Sequence, residues 1–147
     1  AAAGLAYGHK VGAESSVDIN LAKQLNVLLT QLNLPGESIV MNLGSAAAGY
    51  GFEYIASTMD RVLAAALGQD DGMLQMPIIT PVGAEAWNVK ESMASEADMP
   101  EWGDLEQRGI EMEVVTAAAC LASGAHAVIL KHPCSVEKIA ALISALQ

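Results

Sequence analysis

The feature that most constrains the fold is a fourfold alternation between a short apolar run and a longer segment with helical periodicity. No turn typical of a β-hairpin separates the apolar runs. This alternation predicts a parallel α/β architecture, because strands joined through a helix pair in the same direction. The predicted strands lie near residues 10–14, 38–42, 74–80 and 127–131.

The segments between the strands have the periodicity of amphipathic helices. The first carries one apolar stripe, formed by Leu21, Leu25, Leu28 and Leu32. The second segment carries four apolar residues on one face: Ile55, Met59, Val62 and Ala66. The helix after the last strand is predicted to face the core with Val136, Ile139, Ala140 and Ile143. Ser15 and Asp18 have the spacing of a capping box before the first of these helices.

Two parallel architectures are compatible with four βα units. A (β/α)8 barrel needs about 250 residues, so a chain of 147 residues would supply about half of one. A flavodoxin-like open sheet is the other option, and it typically has a phosphate-binding loop after the first strand. The sequence has neither a G-x-G-x-x-G nor a G-x-x-x-x-G-K-[ST] motif.

Composition excludes several classes of function. The net charge is −10 with only seven scattered basic residues, which argues against a nucleic-acid partner. The hydrophobic fraction is 52%, yet no apolar run approaches the length of a membrane span. Two cysteines do not make a disulfide framework, and no signal peptide is recognisable. A cytoplasmic protein with no membrane partner is therefore expected.

Small polar residues follow each predicted strand, where parallel α/β folds carry their functional groups. These positions are Glu14–Ser16, Asn42–Ser45, Thr80–Gly83 and Lys131–Pro133. Their scarcity of charge suits contact with a large amphipathic ligand or another protein better than acid–base catalysis.

Three residues could serve in acid–base catalysis or metal binding. Glu14 could be a general base, although a carboxylate that caps a helix or pairs with a lysine is the simpler interpretation. His132 could belong to a site or orient its loop. With Cys134 it could form a metal pair, but no third or fourth ligand is near in sequence. We therefore predict neither a metal site nor a catalytic residue.

Several segments together resemble one family over nearly the whole chain. The most specific are D-I-N-L-A-K-Q-L-N at 18–26, G-Y-G-F-E-Y at 49–54 and E-A-W-N-V-K-E at 85–91. In this combination the chain is similar to the small, or delta, subunit of the corrinoid iron–sulfur protein of acetyl-CoA synthase/decarbonylase systems. The resemblance implies that residues 1–147 form one domain, the second half of a TIM barrel with four βα units.

The resemblance also implies a role. The small subunit of this family pairs with a large subunit that carries a 4Fe–4S cluster and a corrinoid (cobalamin). Together they accept a methyl group from a methyl-tetrahydropterin or methyl-tetrahydrofolate through a methyltransferase and deliver it to acetyl-CoA synthase, in the reductive acetyl-CoA pathway. The small subunit is not itself catalytic; it shields the corrinoid.

The residues expected to contact the corrinoid are those that follow the strands: Ser15, Ser16, Asn42, Ser45, Thr80, Gly83 and His132. No protein ligand to cobalt is expected. His9 begins an H-x-x-G motif, but Tyr7 stands where the D-x-H-x-x-G motif of His-ligated corrinoid proteins has its Asp.

One loop departs from the family pattern. The family reads M-D-P-T-T-G-A-L-G-Y-G where this chain has residues 41–51, M-N-L-G-S-A-A-A-G-Y-G. The chain thus lacks an acid and two threonines. Two alternatives stay open: a pterin-dependent methyltransferase domain that uses Asn42 and Glu14, and a stand-alone scaffold. Because half a barrel would leave exposed sheet edges, residues 1–147 alone are expected to self-associate.

Overall fold

The computed structural model describes all 147 residues as an α/β fold with seven α-helices and four parallel strands. The strands are β1 (Val11–Glu14), β2 (Ile39–Asn42), β3 (Ile79–Thr80) and β4 (Ala127–Val128). The helices are α1 (Ala2–Tyr7), α2 (Ile19–Gln31), α3 (Phe52–Gly68), α4 (Val82–Ala86), α5 (Lys90–Met93), α6 (Leu105–Ala122) and α7 (Pro133–Ala145). No helix is both long enough and apolar enough to cross a membrane.

The strands form two small sheets and not one continuous sheet. β1 pairs with β2 over four residues, and β3 pairs with β4 over two. A single parallel bridge between Met41 and Ile78 joins the two sheets. The expectation of half a TIM barrel is therefore wrong: the structure is a helix-rich α/β fold with two two-stranded parallel sheets.

Side chains and turns account for the short strands. Residues 74–80 were predicted as a strand, but Gly72–Leu74 is a 3-10 helix and Pro77 has no N–H to pair. The N–H of Ile78 donates to Nδ1 of His126 at 3.1 Å. After Val128, the N–H of Ile129 still donates to the carbonyl of Thr80, but the N–H groups of Lys131 and His132 donate to the carboxylate of Glu113, so the ladder does not reach them.

The core lies between the sheets and the helices that pack on them. A cluster of 21 buried residues draws on all four strand regions and on α2, α3, α6 and α7. The predicted stripe of α3 is confirmed, since it is wholly buried. The stripe of α2 is not: Leu21, Leu28 and Leu32 are exposed, and the helix turns inward Ala22, Asn26 and Leu29.

One helix terminus and one helix face also differ from the expectation. Asp18 is the N-cap of α2 and accepts hydrogen bonds from the N–H groups of Asn20 and Leu21, whereas Ser15 lies outside the helix. In α7, Ile139 is buried, while Val136 and Ile143 are exposed. The sequence patterns thus identified both helices, but not the way α2 is capped or the residues of α7 that are buried.

Candidate functional site

The carboxyl ends of the four strands lie on one side of the molecule, because all the strand pairings are parallel. We call this side the strand-end surface; it comprises the residues that follow each strand, 15–18, 43–51, 81–88 and 129–134. Ligand sites of parallel α/β proteins lie at this edge. All seven predicted site residues belong to these segments or to the strand ends next to them.

A cleft of about 340 Å³ opens on this surface between the ends of β1 and β2 and the start of α4. Three predicted residues line it: Ser16, Asn42 and Ser45. Its other walls are Glu14, Val17, Gly44, Ile55, Pro81, Ala84 and Glu85. The structure thus brings together the two residues of the methyltransferase alternative, Glu14 and Asn42.

Hydrogen bonds hold the polar lining of this strand-end cleft in place. Oδ1 of Asn42 accepts from the N–H of Gly44 at 3.0 Å, which turns the chain as it leaves β2. Gly44 has φ +95°, a conformation that side chains disfavour. Oγ of Ser45 donates to the carbonyl of Pro81 at 3.3 Å and ties this loop to the one that follows β3.

Ser15 and Thr80 lie beneath the surface and not on it. Their relative exposures are 1% and 0%. The N–H of Ser15 donates to the carbonyl of Asn42 at 2.9 Å, which continues the β1–β2 pairing by one residue. A large side chain at either position would have to enter the core, so neither is a suitable probe of ligand contact.

Gly83 lies in a second, smaller depression of about 240 Å³, next to the cleft. It is lined by Gly83, Ala84, Trp87, Asn88, Ile129, Leu130 and Lys131. The ammonium of Lys131 lies 5.2 Å from the ring centroid of Trp87, a cation–π distance. Ala84 lines both depressions, so that they form one continuous surface.

Both ring nitrogens of His132 are engaged within the chain. Nδ1 accepts from the N–H of Cys134 at 3.2 Å and caps α7, which leaves Nε2 to donate to Oε1 of Glu106 at 3.0 Å. The ring stacks on Trp87 with centroids 5.8 Å apart. In this arrangement the imidazole offers no free lone pair to a metal.

The two cysteines lie in different surroundings. Burial raises the pKa of the Cys120 thiol to about 11, so this residue packs as a small apolar side chain. Cys134 is exposed at the start of α7. No group of three or more His, Cys, Asp or Glu side chains is placed to hold a metal ion.

Glu113, in α6 beneath this surface, was not singled out by the sequence analysis. Its side chain is fully buried, and its two carboxylate oxygens accept from the N–H groups of Lys131 and His132. Its position in the helical pattern of α6 could have identified it from the sequence. It lies on the same face as Ile110, Ala117 and Cys120, where an acidic residue interrupts an apolar stripe.

Comparison with known proteins gives matches over most of the chain. A sequence model of the CO dehydrogenase/acetyl-CoA synthase delta subunit family matches residues 1–133. The chain is 36% identical over 140 residues to acetyl-CoA decarbonylase/synthase complex subunit delta 2 of Methanosarcina acetivorans, covering 92% of this chain and 32% of that protein. It is 32% identical over 144 residues to the delta subunit of Archaeoglobus fulgidus, covering 95% and 31%.

A third relative gives the same proportions. The delta subunit of Methanothermobacter thermautotrophicus is 35% identical over 137 residues, which are 93% of this chain and 34% of the relative. The chain therefore spans about a third of the length of the curated relatives that it matches.

Proposed function

The chain belongs to the CO dehydrogenase/acetyl-CoA synthase delta subunit family, and from this premise we propose that its strand-end surface covers a corrinoid in methyl transfer. Its relatives are named as delta subunits of the acetyl-CoA decarbonylase/synthase complex, which supports a subunit role in that complex. The observation that carries the proposal is the strand-end cleft, with its uncharged polar residues Ser16, Asn42 and Ser45.

The chemistry of the cleft fits a corrinoid. The macrocycle carries amide side chains around an apolar plane, and hydroxyl, amide and carboxylate oxygens can accept from those amides. Gly44 and Ala84 are small enough for close approach. At about 340 Å³ the cleft is at the low end of small-molecule pockets, roughly 300–1,000 Å³. It would therefore cover one part of a large ligand and leave the rest to a partner subunit.

We assign the following roles to the chain's own residues. Ser16, Asn42 and Ser45 bind the amide edge of the macrocycle, and Ile55 and Ala84 exclude water. The corrinoid, when bound, would supply the cobalt that carries the methyl group. The chain supplies no imidazole ligand from His132, since both ring nitrogens are already engaged.

The partners follow from the same proposal. A large subunit with a 4Fe–4S cluster would hold the remainder of the corrinoid. A methyltransferase would deliver the methyl group to the corrinoid, and acetyl-CoA synthase would accept it. The setting is the reductive acetyl-CoA pathway in the cytoplasm. The names of the relatives support membership of the acetyl-CoA decarbonylase/synthase complex.

A pterin-dependent methyltransferase domain is the second candidate function. The observation that favours it is that Glu14 and Asn42 line the same cleft. In that case Asn42 would hydrogen-bond a pterin and Glu14 would assist. Calorimetric titration of the full-length subunit with methyl-tetrahydropterin, without the large subunit, separates the two: saturable binding supports the methyltransferase and its absence supports the covering subunit.

The test of the proposal is Ser16→Phe in the full-length subunit, assembled with its large subunit. Ser16 is exposed, lines the cleft and forms no side-chain hydrogen bond, so a large ring there blocks the cleft without opening the core. We expect corrinoid retention, measured by visible absorbance after gel filtration, to weaken at least about tenfold.

The matched control is Ser57→Phe, on the exposed face of α3. It introduces the same ring away from the cleft and should retain corrinoid like the unmodified protein. If Ser16→Phe retains corrinoid as well as Ser57→Phe does, the cleft is not the contact surface.

A further inference from the structure

Glu113 presents a buried negative charge without a cation to balance it. Its side chain is fully buried on the inner face of α6. The chain's ion pair joins Lys23 to Asp71, and His132 hydrogen-bonds Glu106, so neither contact involves Glu113. Burial of an unpaired carboxylate is unfavourable, and only good hydrogen bonds can offset it. A side chain kept under this penalty is expected to do more than fill space.

The hydrogen bonds that offset this cost all come from the strand-end surface. Oε1 accepts from the N–H of Lys131, and Oε2 accepts from the N–H of His132 at 3.1 Å. The hydroxyl of Ser135 and the indole N–H of Trp87 lie near the same carboxylate and help to lower its pKa, although neither forms a direct hydrogen bond with it. Burial alone would raise the pKa of Glu113, but these donors together hold the pKa below its ordinary value.

These bonds determine where the loop after β4 goes. Because Lys131 and His132 donate to Glu113, they do not continue the β3–β4 ladder, and the chain turns into α7. Their side chains both lie against Trp87: the ammonium of Lys131 is 5.2 Å from the ring centroid of Trp87, and the centroid of the His132 imidazole is 5.8 Å from it.

Gly83 closes the arrangement from the other side. A Cβ atom at Gly83 would stand 2.9 Å from Oε1 of Glu113 and 2.8 Å from the nitrogen of Lys131. The carboxylate therefore lies between the start of α4 and the loop after β4, with no room for adjustment. It sets the distance between the two segments that line the second depression.

We propose that Glu113 is a positioning residue, whose carboxylate fixes the Lys131–His132 loop and thereby shapes the part of the strand-end surface that meets the ligand. The inference rests on the proposed function for the identity of that ligand. The positioning itself is a property of the subunit without ligand, and can be measured separately.

The test compares Glu113→Gln with Glu111→Gln in the full-length subunit, alone and assembled with its large subunit. Glu113→Gln keeps the shape, but its NH2 group must face one of the two backbone N–H donors. Glu111 is exposed on the same helix and bonds only the side chain of Gln107, so its variant removes the same charge. Glu113→Asp keeps the charge on a shorter side chain.

Hydrogen–deuterium exchange of residues 129–136 in the free subunit is the first readout. We expect Glu113→Gln to speed exchange there roughly tenfold, because one backbone N–H loses its acceptor. Glu111→Gln should not change it, and Glu113→Asp should restore part of the protection. Unchanged exchange in Glu113→Gln overturns the proposal, whatever the corrinoid experiments show.

Corrinoid retention by the assembled pair is the second readout, and we expect several-fold weakening in Glu113→Gln. Faster exchange with normal retention overturns the link to the ligand while the loop-fixing role stands. Normal retention in Ser16→Phe, by contrast, overturns the proposed function and leaves the exchange result for Glu113 unaffected. The two failures are therefore distinguishable.

Acidification is a third readout that a merely space-filling side chain would not give. Since folding lowers the pKa of Glu113, its ionised form stabilises the fold above its ordinary value of 4.5, and this contribution is lost as pH falls through the lowered value. The difference in free energy of unfolding between the unmodified protein and Glu113→Gln should be largest near pH 7 and shrink below about pH 4.5. A difference independent of pH would contradict an ionised, positioning carboxylate.

Discussion

At the scale of single residues, side chains that bind backbone N–H groups define the strand-end surface. Asn42 accepts a hydrogen bond from the N–H of Gly44, and His132 accepts one from the N–H of Cys134. Glu113 accepts from the N–H groups of Lys131 and His132. Each side chain ends a regular hydrogen-bond pattern and starts a turn, as the short polar residues of caps and Asx-turns do elsewhere. The conformation of the loops that form this surface is thus fixed by polar contacts as much as by packing.

Gly83→Ala tests how closely these contacts are packed. The added methyl group would stand 2.8 Å from the nitrogen of Lys131, which is backbone and cannot move away alone. We expect a loss of about 1–3 kcal/mol in the free energy of unfolding, measured by urea denaturation.

Gly68→Ala, at the end of α3, is the control for this substitution. A Cβ there meets nothing within 4 Å, and the residue is helical. It should leave stability unchanged or raise it by up to about 1 kcal/mol, because alanine has the better helix propensity. Equal effects of the two variants would mean that the contact between Gly83 and Lys131 is not tight.

The sequence allowed the candidate surface to be predicted but not its depth. Small polar residues after a strand indicate the edge where sites form, and Ser16, Asn42 and Ser45 do line a cleft there. Ser15 and Thr80 satisfy the same rule, yet both are buried. Burial depends on contacts between segments that are distant in sequence, and position after a strand does not determine it. Glu113 escaped notice for the same reason, since its partners lie 18 and 19 residues away.

At the scale of elements, α6 connects the two strand-end loops. Its buried face carries Glu113, which binds the loop after β4, and Thr116, whose hydroxyl oxygen accepts from the N–H of Ala48 at 3.0 Å in the loop after β2. Residues three apart lie on one face of a helix, so one rigid element sets both loops. Here polar residues occupy a face that periodicity alone would assign to apolar packing.

Thr116→Val isolates the contact to the second loop. Valine keeps the volume and removes the hydroxyl, which leaves the half-buried N–H of Ala48 without its acceptor. We expect a loss of about 1–3 kcal/mol in the free energy of unfolding and faster amide exchange at Ala48. Thr116→Ser keeps the hydroxyl and should leave that exchange rate unchanged; faster exchange in both variants would assign the effect to lost packing instead.

The helices show which predictions from periodicity are reliable. The stripe of α3 is buried because the helix packs in the core of this chain. The leucine stripe of α2 has the same spacing, yet three of its four members are exposed. Periodicity predicts that a helix has an apolar face. It does not predict whether other segments of this chain pack against that face, which only the structure shows. The half-barrel expectation failed similarly, since sequence alternation cannot say where Glu113 and His126 will end a ladder.

At the scale of the whole molecule, the chain exposes much apolar surface while carrying a strong like charge. Besides the α2 leucines, a groove of about 380 Å³ between α6 and α7 is lined only by Ala118, Leu121, Ala122, Leu142, Ile143 and Leu146. The net charge of −10 opposes contact between copies. Apolar attraction and charge repulsion thus act in opposition when residues 1–147 are studied alone.

We therefore expect residues 1–147 alone to self-associate, and to do so more strongly as salt increases. At 0.01 M salt the Debye length is about 30 Å and repulsion acts between whole molecules, while at 1 M it is about 3 Å and only the apolar attraction remains. Sedimentation velocity should show growing oligomer between these limits. The double variant Leu28→Gln, Leu32→Gln removes exposed apolar area from α2 at constant charge and should shift the equilibrium toward monomer. A monomer at every salt concentration would mean that these surfaces are too small or too dispersed to drive association.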